Sequence, residues 1–318
     1  MRSVILVTIG FMAVLPVASA AENLLGIGQF GTTYVAARSD GAVYRSGAGG
    51  INFTVRATGG SGALHAVAYL NGNFAAVGAG GRIVRSAAGL DWSNETSNVN
   101  VDLRDVVSQG THLIAVGDGG TTIRRTSTAV WDTTTSPGSA SLHSVAAANN
   151  FTIAVGDAGT VLRSIDEGLT WSRQQLPGSP DLRGVAAGPT TGQFIAVGRG
   201  GVIVRSTDSG INWASVSSPT TVDLFGVTAD ASRYVAVGAN GTILRSGTGG
   251  ASGTWFAISG PVNATLHDAM YDGLHFYAIG DTEVVMRSTD ATTWIQVAIE
   301  SVSWSDVKRL YRGATPQR

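Results

Sequence analysis

The 318-residue chain carries 21 lysines plus arginines against 22 aspartates plus glutamates, is 43% hydrophobic and 14% charged, and has no cysteine. A formal charge of -1 excludes a polybasic nucleic-acid or bilayer-surface protein, and the missing cysteines exclude disulfides, thiolate catalysis and zinc–thiolate centres. The 43 glycines follow no collagen period and point to many tight turns.

Residues 1–20 have the pattern of an export signal. Arg2 is followed by an apolar run over residues 4–15, then Pro16 and the small-residue site Ala18-Ser19-Ala20. The run is shorter than the ~20 residues of a spanning helix. Cleavage after Ala20 is therefore expected. It would leave residues 21–318 in the periplasm or outside the cell, with no integral membrane segment. No cysteine follows the site, which excludes a bacterial lipoprotein anchor.

The remaining chain repeats one unit. Phe74-Ala-Ala-Val-Gly78 recurs ending at Gly117, Gly156, Gly198, Gly238 and Gly280, with a degenerate first copy ending at Arg38. Seven residues on stands an arginine: Arg45, Arg85, Arg124, Arg163, Arg205, Arg245 and Arg287, at spacings of 40, 39, 39, 42, 40 and 42. A period near 40 built of short strands predicts an all-β, seven-bladed β-propeller of four-stranded antiparallel blades.

Four strands fit each unit. Strand A starts at Leu24, Leu64, Leu103, Leu142, Leu182, Leu224 and Leu266, which mark the seven blades. Strand B is the aromatic-x-Ala-Val run, and Gly-x-x-Gly turns it into strand C, where glycine supplies positive φ. Strand D opens at Phe53, Trp92, Trp131, Trp171, Trp213, Trp255 and Trp294, and six of these stand eleven residues before the next leucine. The sequence leaves ring closure open, because Trp304-Ser-Asp-Val307 stands almost in phase as an eighth copy.

The C-to-D turns carry a family pattern. Ser164-Ile-Asp166-Glu-Gly168-Leu-Thr170-Trp171 matches the Asp-box S-x-D-x-G-x-T-W throughout, and Ser206-Thr-Asp208-Ser-Gly210-Ile-Asn212-Trp213 departs only at Asn212. Ser288-Thr-Asp290-Ala-Thr-Thr293-Trp294 is one residue short and lacks the glycine. Asp-box propellers include sialidases, xyloglucanases and sortilin-type receptors. The Val-Gly-x-x-Gly-x-Ile-x-Arg-Ser run into the box most resembles the photosystem II stability/assembly factor family. That resemblance covers essentially all of residues 21–318. It implies a non-catalytic protein that binds an assembling membrane-protein partner in the lumen or periplasm.

Strand parity puts the D-to-A and B-to-C loops on one face of the disc, and the A-to-B and C-to-D loops on the other. Recurrence with the blade period makes the Asp-box residues structural staples, and the seven strand-C arginines are read the same way, with an arginine ring on that face as the functional alternative. The positions following the strand-A leucines are His65, Arg104, His143, Arg183, Phe225 and His267, with Leu25 in the first blade. Five basic groups at one channel mouth, beside Arg38, Asp40, Asp118, Asp157, Arg199 and Asp281, could hold an acidic peptide or carboxylate in a pH-sensitive manner. Equally, they could solvate strand ends or bond neighbouring carbonyls.

Enzyme readings find little support. Only five glutamates exist, none in strand A, and the Arg-Ile-Pro opening of sialidases is absent. A hydrolase of the sialidase or xyloglucanase kind would draw on Asp105 and Asp268, and a purely structural envelope repeat protein is the other alternative. His65, His143 and His267 flank or lie far from one another around Arg104, so no metal is expected. No cofactor and no nucleic-acid partner is expected, and the chain should be a monomer that binds protein or peptide.

Overall fold

A computed structural model describes residues 22–47, 49–126, 130–247 and 249–299. The export pattern at residues 1–20 and the near-repeat at Trp304 lie outside them. The described chain forms seven four-stranded sheets, each an antiparallel meander of consecutive strands. Strand A spans Leu24–Phe30, Leu64–Leu70, Leu103–Gln109, Leu142–Ala148, Leu182–Ala187, Leu224–Ala229 and Leu266–Tyr271. Each packs beside strand A of the next blade, and the last packs beside the first. The fold is a seven-bladed β-propeller.

Strand B is an apolar run without alternation, such as Phe194–Gly198 or Tyr234–Gly238, and is buried along its length. Both of its faces lie against neighbouring blades, which is why alternation disappears. Strand D is the wet edge, short and exposed, as in Ala214–Val216. Its leading aromatic is the inter-blade plug: Trp131 and Phe53 are fully buried and Trp294 nearly so. Trp131 and Trp255 begin their strands, whereas Phe53 and Trp171 stand one residue before theirs.

The two glycines of the B-to-C turn do different work. Gly81 sits at φ 77°, the left-handed region where a side chain is strained. Gly78 is extended, but a Cβ there would come within 2.0 Å of the Ala63 carbonyl oxygen. Only the second glycine therefore answers to turn geometry. The first admits the close approach of strand A.

No strand is exchanged between the first and last blades among the described residues, since residues 24–56 build one and 266–296 the other. The ring closes by face packing of Leu24, Tyr34 and Phe53 against Tyr277, Ile279 and Val285. Polar bonds reinforce the seam: the Glu283 amide donates to the Glu22 carbonyl at 3.0 Å, and the Thr282 amide to Asn23 Oδ1 at 3.2 Å.

Candidate functional site

Every strand A carries a register break just after its leucine, for example between Leu103 and Asp105 and between Leu266 and Asp268. The same break occurs in the other five blades. A bulge leaves one residue unpaired and turns its side chain out of the ladder. That residue is Leu25, His65, Arg104, His143, Arg183, Phe225 or His267. These seven side chains line an outer cavity of about 480 Å³, together with Arg199 and Asp223. The mouth residues proposed from the sequence are thus brought together, but their charges are compensated.

Arg104 makes a two-pronged bond to Asp118, at 3.0 and 2.8 Å, and lies 3.2 Å from Asp102. This bond holds the Asp118 carboxyl below the usual carboxylate range. His143 Nε2 is 2.8 Å from Asp157, and the Arg183 guanidinium faces that same nitrogen and the same carboxylate. Burial, with Arg183 and Arg104 nearby, lowers the His143 pKa. His267 Nε2 meets Asp281 at 2.6 Å. His65 Nδ1 meets the Leu103 carbonyl at 2.8 Å, and burial lowers its pKa. The arginines of this mouth face Asp102, Asp118, Asp157 and Asp181, so little positive charge is left over.

One residue deeper, Asp105 and Asp268 enter an inner channel of about 220 Å³. Asp105 Oδ2 accepts from the Ser144 hydroxyl at 2.9 Å and the Val145 amide at 2.8 Å, both in the next blade. Asp268 Oδ2 accepts from the Ile27 amide at 3.0 Å. Burial pushes their pKa values up to about 6 and about 7, the second raised further by the charge on Asp105. Both carboxylates therefore act as staples between blades. In three other blades Gly26, Gly184 and Gly226 stand in this place, and at the first two a Cβ would strike the next strand's carbonyl at 2.4 and 2.6 Å.

On the opposite face the Asp boxes are closed units. Ser164 Oγ accepts from the Gly168 amide at 2.9 Å, and Asp166 accepts from the Thr170 amide and hydroxyl at 2.9 and 2.6 Å. Ser206, Asp208, Gly210 and Asn212 repeat the pattern at 2.7–2.9 Å. In the short box, Asp290 accepts from the Thr292 and Thr293 amides at 2.8 Å; the Thr292 side chain together with these amides holds its carboxyl well below the usual range. Trp171 and Trp294 are buried, and Trp213 is half-buried.

The strand-C arginines reach from one blade to the next. Arg45 Nε donates to the Ala88 carbonyl at 2.7 Å, Arg124 to Glu167 at 2.8 Å and Arg163 to Ser209 at 2.7 Å. Arg85 and Arg124 lie 3.6 and 3.7 Å from carboxylates. Among the described residues, Arg45, Arg163, Arg205, Arg245 and Arg287 have no carboxylate within 4.0 Å. The same face exposes Ile51, Leu90, Ile165, Leu169 and Ile211 from its C-to-D turns. Sequence reasoning missed this apolar ring, although in the boxes Leu169 and Ile211 each stand two residues before the tryptophan.

The sequence model of the family described as photosynthesis system II assembly factor YCF48 matches residues 90–250. No curated protein matches the sequence significantly. Among solved structures, a YCF48 bound to a D1 peptide aligns at 14% identity and TM-score 0.70, covering 85% of this chain and 93% of that one. YCF48 from Cyanidioschyzon merolae aligns at 17% identity and TM-score 0.69, covering 86% and 98%. A virginiamycin B lyase from Staphylococcus aureus aligns at 15% and 0.74, covering 86% and 97%. At these identities the structural likenesses establish the fold.

Proposed function

From the premise that the chain belongs to the photosynthesis system II assembly factor YCF48 family, we propose that it is a non-catalytic propeller that binds an acidic peptide segment of a membrane-protein partner through its Asp-box face. One observation carries this reading: among the described residues, five strand-C guanidiniums on that face have no carboxylate partner, whereas the arginines of the channel mouth do. Uncompensated guanidiniums make strong, directional bonds to carboxylates. The aliphatic side chains between them suit the apolar residues of such a segment. The solved YCF48 with a D1 peptide is consistent with a peptide ligand.

Asp105 and Asp268, the carboxylates a hydrolase would use, accept bonds from backbone amides, which favours a structural role for both. The pattern of residues 1–20 supports export, so the partner would be met outside the cytoplasm. The channel mouth is the second candidate, favoured by the bulge that turns seven side chains into it. A direct test measures fluorescence anisotropy of labelled acidic and basic dodecapeptides at low and high salt. Binding confined to acidic peptides and weakened about tenfold or more by salt supports the reading. Equal binding of the basic peptides contradicts it.

A further inference from the structure

Arg45, Arg124 and Arg163 each donate to a carbonyl of the next blade's turn. By contrast, Arg205 Nε and Arg245 Nε are buried with no hydrogen-bond partner among the described residues. The Arg205 junction, between the fifth and sixth blades, carries further unpartnered groups. The sixth blade's turn runs from Ser246 to Trp255, two residues longer than that from Ser206 to Trp213.

Two further polar atoms at this junction have no hydrogen-bond partner among the described residues: the Tyr234 hydroxyl, on a fully buried ring, and Gln193 Oε1. Tyr34 occupies the place of Tyr234 in the first blade, four residues before the end of strand B, and its hydroxyl donates to Asp272. The position of Asp272, just past strand A, is filled here by Gly188, and the Tyr234 hydroxyl stands 1.8 Å from where a Gly188 Cβ would lie. The carboxylate that completes the seam is thus missing from this junction.

Arg205 also lines an open groove of about 350 Å³ with Trp213, Asn212, Ser215 and Ser252. Asp208 borders it, but its oxygens accept from Asn212 and Ser206. Trp213 and Ser215 are shared with a second groove of about 300 Å³, whose walls include Leu176, Pro177, Pro180 and Val202. Between the grooves runs the edge strand Ala214–Val216, which pairs with strand C on one side only.

We infer that this flank of the fifth blade is the place where an extended peptide is anchored, with a carboxylate on Arg205 and an apolar side chain in the proline-walled groove across Trp213. The inference rests on the peptide-binding reading and deepens it by choosing one junction out of seven. An extended segment suits a free strand edge, whose main-chain groups supply bonds independent of sequence. A guanidinium fork fits either a terminal or a side-chain carboxylate.

The test uses labelled hexapeptides that pair leucine with a carboxylate. One has a free C-terminus, one is amidated with an internal aspartate, and one is amidated with asparagine instead. Binding is followed by anisotropy in wild type, Arg205→Gln and Ser215→Trp, with Arg173→Gln, at an exposed arginine of the fourth blade outside both grooves, as control. Ser215 is exposed and lines both grooves, so the tryptophan blocks them without disturbing the core. The expected result is about a tenfold or greater loss in the first two variants, with Arg173→Gln near wild type. The asparagine peptide should bind weakly to all, and the other two peptides report which carboxylate is held. If peptides bind wild type and both groove variants alike, the anchor is elsewhere: the inference fails while the wider reading stands. If no peptide binds wild type, both fail.

Discussion

Asp268 in the last blade accepts a hydrogen bond from the Ile27 amide in the first, at 3.0 Å, across the point where the ring closes. Burial raises the pKa of this carboxyl to about 7, and that of its counterpart Asp105 to about 6. An unfolded aspartate titrates near 3.9, so the fold disfavours the charged forms. The stability each acid contributes is present in full below about pH 4 and is lost as pH rises towards 6 or 7. His65 and His143 have lowered pKa values and act oppositely, losing stability as pH falls below about 6.5.

The Asp268→Asn variant separates the two trends. The melting temperature of wild type relative to this variant should fall as pH rises from about 4 to about 7 and level off above that, by an amount equivalent to about 1–4 kcal/mol. A difference that does not change with pH would show that Asp268 is not a raised acid.

Gly168 of the complete Asp box stands at φ 78°, and a Cβ there would press on Ile114 of the preceding blade at 2.8–3.2 Å. Gly178 has a similar φ of 76° but open space around it. Gly178→Ala should therefore cost about 1 kcal/mol from backbone strain alone, and Gly168→Ala about 1–3 kcal/mol more from overpacking. Chemical denaturation of the two variants measures the difference, and equal losses would remove the packing role assigned to the box.

Residues just before strand A cap the preceding blade's turn: Asp102 accepts from the Gly80 amide at 2.8 Å, Asp181 from Ala158 at 3.0 Å and Asp223 from Gly200 at 2.8 Å. Asp223→Ala should cost about 0.5–1.5 kcal/mol. Thr265 holds the same place without such a bond, so Thr265→Ala should cost less than half as much. Matching losses in urea titrations would show that the cap contributes nothing.

How much of this was legible depended on period. The seven leucines and seven arginines recur every 39–42 residues because each blade needs the same inner strand and the same inter-blade reach. The mouth pairs were also readable, since Arg104–Asp118, His143–Asp157 and His267–Asp281 share one 14-residue spacing. The bulge that aims these side chains was not, because nothing in a residue such as Arg104 signals a break in pairing. Nor was the missing partner of Arg205 Nε, since Arg205 stands at the same place in the repeat as Arg163, which has one.

The central claim is that ligand binding belongs to the Asp-box face. It is tested most directly by comparing two charge-removal variants for acidic-peptide affinity: Arg163→Gln with Arg205→Gln and Arg245→Gln on that face, and Arg104→Gln with Arg183→Gln at the channel mouth. Melting curves on both establish that they fold. The account predicts about a hundredfold loss of affinity in the first and less than about threefold in the second. Binding lost in the mouth variant but kept in the Asp-box variant would contradict it.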